Sequence, residues 1–521
     1  MKLKITTLST WMLSILFSIQ SFAQDGTLDP TFGVGGKVTT DLGLEGVMAI
    51  AIQSDGKIVA AGTYKNGVNL DFGIARYKTN GTLDSSFSGD GIQFTDFNSS
   101  DDEAFNLAIL PDGKIIVVGY TYKSNLTLND YAIAKYNSDG SLDNTFGTSG
   151  KVITDIDDDI AKFIKVMSDG KFFVGGNIST NPRFTLAKYN SNGTLDLSFN
   201  TTGYIETDLS SISSENLEAN SMVIQTDNKI VVCGTEISGS TQKGIYVRYL
   251  ANGKQDSTYG TNGVVFFGKS FPLTNRLLTS NSILVENNSI VSCMTNSGKL
   301  AIIKINSNGK VDSSFGLNGI GRMKWGSNGG RALTRQTDGK FIVVGDNYNA
   351  LNPNISGFLI SRFNSNGGID STFSGDGVDT IRIKYFVENS YDVKIQSDGK
   401  IIIAGRAVSP TNNLEFALAR YISALKVGIL DFSSSEKNLI VSPNPIESES
   451  ILEYSLDADV ENLSIGLYDL NGKQLKIFMQ GKSQLKGDHK EKITLPEGLA
   501  AGNYIIQIAS PKGHYSVKIA H

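Results

Sequence analysis

Short apolar runs separated by polar turn signals fill most of the chain, and the pattern repeats over a long period. In the first full unit, Ala49-Ile50-Ala51-Ile52-Gln53 predicts a strand and Ser54-Asp55-Gly56 a turn. Lys57-Ile58-Val59-Ala60-Ala61-Gly62 predicts a second strand. It is apolar on both faces, as a strand buried on both sides must be. A third follows at Phe72 to Tyr77, and a fourth, after the Asn80-Gly81 turn region, at Gly91 to Thr95. Asp-Gly and Asn-Gly are the pairs that accept positive φ in tight turns.

The unit recurs with a period of 53 to 60 residues, read from Asp29, Asp84, Asp143, Asp196, Asp256, Asp312 and Asp370. Such a period signals a solenoid, propeller or array. One copy is split. Its second half, Leu28-Asp29-Pro30-Thr31-Phe32 to Gly36, stands near the N-terminus; its first half, Ala419-Arg420-Tyr421, ends the array. The predicted fold is therefore all-β, a seven-bladed β-propeller closed by an N-terminal strand. Lys37-Val38-Thr39-Thr40 should zip beside Phe416 to Tyr421 and remove the free edges that an open array leaves exposed. After Tyr421 the repeat stops. Residues 422–437 read as a linker, and seven short strands in 438–521 predict a small C-terminal β-sandwich.

Spacing separates the connections into two kinds. Tyr77 to Asp84 and Phe363 to Asp370 are both seven residues, and Asp to the following Gly is seven again. The connection between strands two and three varies, as does the one from strand four to the next strand one. In an up-and-down blade those variable connections share one face, where binding residues sit on a rigid scaffold. Residues repeated seven times read as structural: the Asp capping its own turn, and the basic residue before it (Arg76, Lys135, Lys188, Arg248, Lys304, Arg362, Arg420) pairing with a neighbouring acid.

The ligand-binding candidates are then the unrepeated residues of the variable face. Acidic ones fall early, at Asp96, Asp101, Asp102 and Glu103, then Asp155, Asp157, Asp158 and Asp159. Basic ones fall late, among them Lys324, Arg331, Arg382 and Lys384. Tyr64, Tyr120, Tyr122, Tyr348 and Trp325 lie in or beside these loops, and aromatic faces among amides suit sugars or peptides. The run Asp155 to Asp159 offers oxygens to Ca²⁺ but lacks the spaced pattern of a calcium loop, so it reads as solvated acidic surface.

Composition narrows the classes. A net charge of −5 argues against a general nucleic-acid binder. The three His, at 489, 514 and 521, all lie beyond the repeats. No Ser-His-Asp, Cys-His or His-ligated zinc site can therefore form from the ring's own residues. Cys233 and Cys293 occupy equal heights in neighbouring units, roughly 10 Å apart and beyond disulfide reach, so two buried free thiols are expected, with no metal-site spacing. Lys2 and Lys4, the apolar stretch Trp11 to Phe17, and Ser21-Phe22-Ala23 read as a signal peptide over residues 1–23, leaving residues 24–421 to the array. No other run is long and apolar enough to span a bilayer.

Two resemblances add to this. Ser442-Pro443-Asn444-Pro445, Leu467-Tyr468-Asp469-Leu470-Asn471-Gly472-Lys473 and Leu499-Ala500-Ala501-Gly502-Asn503-Tyr504 resemble the type A C-terminal sorting domain of the type IX secretion system of Bacteroidota. The resemblance implies that Pro443, Asn444, Pro445, Gly472 and Gly502 belong to a sorting motif, that the secretion machinery is a partner, and that the protein is secreted or held at the outer surface. Ser442 departs from the common Tyr. The array, through Gln53-Ser54-Asp55-Gly56-Lys57-Ile58-Val59, Ala75-Arg76-Tyr77 and Gly81-Thr82-Leu83-Asp84-Ser85-Ser86-Phe87, is similar to the delta-sixty β-propeller family, which brings no site residues with it. The function expected is a non-enzymatic extracellular module binding a glycan or peptide. The alternatives are a carboxylate-dependent polysaccharide-processing enzyme and a structural surface component.

Overall fold

The computed structural model describes residues 25–41, 46–67, 69–122, 128–178, 183–210, 216–238, 241–267, 280–286, 288–296, 299–323, 329–349, 352–384, 388–408, 414–423, 440–446, 448–456, 459–468, 474–496, 498–500, 502–510 and 513–521. The signal peptide, most of the linker, Trp325 and Gly472 lie outside them, as does the side chain of Tyr348. The chain divides into two compact units, Met1–Ser423 and Ala424–His521.

The first unit is a repeat of antiparallel four-stranded sheets. The first sheet comprises Val47–Ile52, Ile58–Asn66, Asn69–Tyr77 and Ile92–Thr95, in that order. Five more sheets follow the same order along the chain; their opening strands are Asp102–Ile109, Asp159–Val166, Asn216–Ile224, Ser280–Glu286 and Gly330–Arg335. The seventh is composite. Glu388–Ile395, Ile401–Val408 and Leu414–Ile422 come from the end of the unit, and Lys37–Asp41 supplies the outer strand. Its register sets Lys37 opposite Ala419 and Thr40 opposite Phe416.

Local chemistry explains the unit. The second strand of the first sheet is fully buried from Ile58 to Ala61, which is why it carries no polar face. The turn before it places Gly56 at φ +82. Where Gly is replaced, Asn228 and Asn288 hold φ of 62 and 61, a conformation Asn tolerates better than other residues with a Cβ. Neighbouring sheets share their cores. Val59, Phe72 and Phe87 of the first unit pack with Leu107, Val117 and Tyr136 of the next. The same interlock joins the last sheet to the first, where Ile402, Phe416 and Leu418 pack with Phe32, Ile50, Ile58 and Tyr77. Cys233 and Cys293 are buried and form no disulfide, as their spacing predicts.

The second unit packs a three-stranded sheet (Ile440–Ser442, Glu449–Leu456, Gly487–Thr494) and a four-stranded one over a single core that includes Leu452, Ile465, Leu467, Ile493 and Ile506. Two of the motif residues, Asn444 and Gly502, bond to its last residues. Asn444 Oδ1 accepts the Ala520 N–H at 2.9 Å, and Gly502 and His521 exchange main-chain hydrogen bonds.

Candidate functional site

The repeated Asp is the centre of a lock on the fixed-turn side of each sheet. In the first, Asp84 Oδ1 accepts the Ser86 N–H and hydroxyl, while Oδ2 takes Arg76 Nε at 2.8 Å and Lys57 Nζ at 3.2 Å. Burial pushes this carboxyl up, but the Ser86 and Lys57 hydrogen bonds and the Arg76 charge outweigh it and hold it at about 2. The neighbouring acid expected for the basic residue is thus the repeat's own Asp. The base also reaches the next unit: the Arg76 guanidinium donates to the Ser138 carbonyl, and Lys135 Nζ to the Ser191 carbonyl at 3.1 Å. These residues hold sheets together and leave no group free for chemistry.

The variable connections do lie side by side. Asp101, before the second sheet, accepts the Leu70 N–H of the first sheet's hairpin at 2.9 Å, and Asn69 Nδ2 donates to the Ser99 carbonyl. Asp158 does the same one unit later, taking the N–H and side-chain amide of Asn129. Asp102 and Asp159 are wholly buried and accept the N–H of Phe97 and Asp157. Within the acidic runs Asp102, Asp158 and Asp159 are therefore buried and not part of the solvated loop surface that charge alone suggests. Their carboxylates cap main-chain N–H groups that would otherwise lack partners. Burial raises both Asp102 and Asp159 to about 7. Asp157 is half-buried and Asp155 exposed.

The aromatic candidates divide. Tyr120 is buried and donates to Glu103 Oε1 at 2.6 Å. Tyr122 is 38% exposed and packs edge-on against Tyr120. On the basic side, Arg331 Nε pairs with the buried Asp346 at 3.1 Å, and Lys384 Nζ lies 3.7 Å from Glu415.

The spacing of the loops does not reveal a second set of residues. In every sheet the opening strand carries an irregularity near its start, between Val47 and Ala49, Ala104 and Asn106, Ala161 and Phe163, Ala219 and Ser221, Ser280 and Ser282, Gly330 and Ala332, and Ser390 and Asp392. Bulges re-aim a side chain. The residues at these irregularities whose side chains are described are Met48, Phe105, Lys162, Asn220, Arg331 and Tyr391. Because each opening strand packs on the next around the unit, these residues form one tier near the variable loops.

Contacts between sheets, and one within the seventh, bear this out. Lys162 Nζ lies 4.2 Å from the centre of the Phe105 ring, and the Arg331 and Arg406 guanidinium groups lie 5.8 and 5.7 Å from the Tyr391 ring. Desolvation lowers the Lys162 ammonium pKa, with Glu218 and Glu103 opposing. The sequence signal for this tier is the repeated Gly that closes the second strand. A Cβ on Gly119 would stand 1.8 Å from the Glu103 carbonyl oxygen, and one on Gly405 1.9 Å from that of Asn389, so Gly lets the two backbones approach at these bulges, while the fifth sheet sets Met294 opposite its own.

A separate cleft of about 1000 Å³ between the fifth and sixth sheets is lined largely by turn residues such as Leu317, Gly321 and Gly367. It brings no set of charged groups together.

Comparison with known proteins agrees with both units. Residues 53–87, 110–146, 168–199, 225–259 and 396–421 match the family described as "Domain of unknown function (DUF5122) beta-propeller". Residues 441–520 match "Secretion system C-terminal sorting domain". No curated protein matches the chain. Among solved structures, Sqt1 of Chaetomium thermophilum is 8% identical with a TM-score of 0.40, covering 73% of this chain and 97% of its own. The β-propeller domain of the Trilobed protease from Pyrococcus furiosus is 11% identical with a TM-score of 0.35, covering 73% and 94%. The aldose sugar dehydrogenase of Streptomyces coelicolor is 10% identical with a TM-score of 0.33, covering 74% and 98%. Likeness at that level carries no functional information.

Proposed function

We propose, for a chain that carries DUF5122 β-propeller repeats and a type IX sorting domain, that residues 24–421 form a closed seven-bladed propeller acting as a binding or adhesion module outside the cell. The sorting domain marks the protein for the cell surface or for secretion and makes the type IX machinery its export partner. Among the described residues no helix is long and apolar enough to cross a membrane. Closure is supported by the pairing of Lys37–Asp41 with Leu414–Ile422 and by the core shared between the last sheet and the first.

The observation that carries the binding reading is the tier of bulged residues. It sets the aromatic faces of Phe105 and Tyr391 beside the cations of Lys162, Arg331 and Arg406, at the rim where the variable connections lie. Flat apolar rings with charged hydrogen-bond donors alongside suit a glycan, or a peptide with acidic groups. A non-catalytic role fits the rim carboxylates. Asp101, Asp102, Asp158 and Asp159 each accept main-chain N–H groups instead of standing free as an acid–base pair.

Glycan-array and peptide-array binding with the mature chain tests the reading. A ligand should be found whose affinity falls at least tenfold in Phe105→Ala and in Tyr391→Ala and is unchanged in Lys78→Ala on the fixed-turn side. Equal binding by all three variants would remove the tier as the site.

A further inference from the structure

The geometry points to a Ca²⁺ site between the first and second sheets, formed by Asp71, Asp96 and Asp102. Asp71 lies in the third strand of the first sheet, Asp96 follows its fourth strand, and Asp102 opens the second sheet. One carboxylate oxygen from each lies within 4.8 Å of the other two. Three oxygens held about 2.4 Å from a common centre can be no farther apart than this, which is the reach of Ca²⁺–oxygen bonds. Among the described residues no other trio of His, Cys, Asp or Glu meets that spacing.

A second observation shows that the trio is short of a positive partner. Asp102 is 0% exposed, yet Oδ1 makes no hydrogen bond; Oδ2 is taken by the Phe97 N–H at 2.7 Å. Its cross-strand neighbour Thr121 brings a hydroxyl close enough to favour the ionised carboxylate, though not in hydrogen-bonding geometry. Asp71 is 2% exposed, with the Asn66 side chain as its hydrogen-bonding neighbour. Asp96 is exposed and gives Oδ1 to the Ser99 N–H, which leaves Oδ2. Among the described residues no Lys or Arg forms an ion pair with any of the three. Lys151 donates to the Asp96 carbonyl and not to a carboxylate. Two buried carboxylates and a third beside them repel one another unless a cation sits between them.

The donors are all oxygens, and neither His nor Cys adjoins them, so a hard cation is selected over zinc or copper. Unequal, partly pre-spent carboxylates suit the flexible shell of Ca²⁺ better than the strict octahedron of Mg²⁺. Bound there, the ion ties the first sheet to the second. The inference is independent of what the tier binds.

Calcium titration of the EDTA-treated mature chain, by calorimetry and by thermal unfolding, tests it. The expected result is one Ca²⁺ per chain and a Tm that rises with Ca²⁺, with Mg²⁺ much weaker. Asp96→Asn keeps the acceptor for Ser99 but loses the charge. It should fold normally, weaken Ca²⁺ binding at least tenfold, and show a metal-free Tm equal to or above the parent because a repulsion is gone. Asp157→Asn, in the next loop, should leave binding unchanged. No binding at millimolar Ca²⁺, equal affinity for Mg²⁺, or unaltered binding by Asp96→Asn would each overturn the site.

Discussion

Arg420 Nε donates to Asp29 Oδ2 across 2.9 Å although the two residues are 391 positions apart. The same bond in the first sheet joins Arg76 and Asp84, eight positions apart. Splitting one repeat turns a local lock into the tie between the two ends of the array. Lys400 Nζ also reaches Asp29, at 3.3 Å, so one carboxylate answers two cations. Removing one partner of a buried pair typically costs about 3–5 kcal/mol. Asp29→Ala should therefore destabilise the first unit by about that much in urea unfolding. Hydrogen exchange would separate it from a general loss. Protection should fall first in Lys37–Asp41 and Leu414–Ile422 for Asp29→Ala, and should stay there for Asp196→Ala, whose lock lies within a continuous repeat.

The locks also set the acid limit of stability. Asp84, Asp256 and Asp370 are held at about 2; burial raises each, and the hydroxyl, Lys and Arg partners more than reverse it. A carboxyl whose folded pKa lies below its unfolded value binds fewer protons folded than unfolded. Its contribution, about 2 kcal/mol each, is complete above the unfolded pKa near 3.8 and is lost as pH falls toward 2. From these groups the urea midpoint should be flat between pH 5 and 7 and should drop steeply below about pH 4. Asp84→Asn should start lower at neutral pH and lose less on acidification.

The fifth sheet shows what happens when the lock erodes. Ser289 stands where other units have Lys, and Lys304 turns to Glu286 at 2.6 Å, leaving Asp312 at 3.9 Å with its side chain 30% exposed. Asp143, in an intact lock, is 4% exposed and takes Lys114 at 2.8 Å. A solvated pair contributes about 1 kcal/mol or less. Asp312→Ala should thus cost no more than about 1 kcal/mol, against about 3 kcal/mol for Asp143→Ala. Equal losses in chemical unfolding would show that the turn cap, not the ion pairing, carries the energy.

The strand order within each sheet and the pairing of Lys37 to Thr40 with Phe416 to Ala419 are legible because turn residues and apolar runs recur at fixed spacing. So is the structural role of the repeated Asp, since seven copies of one short polar motif point to one turn geometry. The rim is harder to read. Asp102 and Asp158 look like solvated acids in sequence, and only the fold reveals the main-chain N–H groups they cap. Phe105 and Lys162 are hidden for another reason. A bulge slips the two-residue alternation, so the side chain that faces inward does not follow the strand's own periodicity. Trp325 and Tyr348 have no described side chains and neither support nor weaken the rim.

In the sorting domain, Asn444 ties the Pro-Asn-Pro segment to the last strand through the Ala520 N–H, and Ile446 donates to the Ala520 carbonyl at 2.8 Å. Asn444→Ala removes an acceptor from an exposed strand end, worth about 1 kcal/mol. The domain should stay folded, with faster exchange at Ala520. If the tied end is the surface that the export machinery reads, extracellular yield should fall more than stability does. Pulse-chase secretion compared with the thermal unfolding of the isolated mature chain would measure both.

Gly119 offers the most direct test of the inner tier. A methyl group there would meet the Glu103 carbonyl oxygen at 1.8 Å, which is main chain and cannot swing away. Gly119→Ala must push Glu103 and Ala104 outward, costing about 1–3 kcal/mol as overpacking does. Phe105 then loses its place under Lys162, and Glu103 its bond to Tyr120. The fifth sheet already has Met294 where the others have this Gly, so the scaffold tolerates the loss of one such position. The variant should therefore fold, with a lowered Tm, and should lose affinity for any ligand of the tier by more than Lys78→Ala does. A Gly113→Ala control alters a turn glycine on the other side, at φ +83, whose added Cβ meets nothing within 4 Å. It should lower stability through backbone strain alone and leave affinity intact. If both glycine variants lose affinity equally, the bulge is not what positions the binding residues.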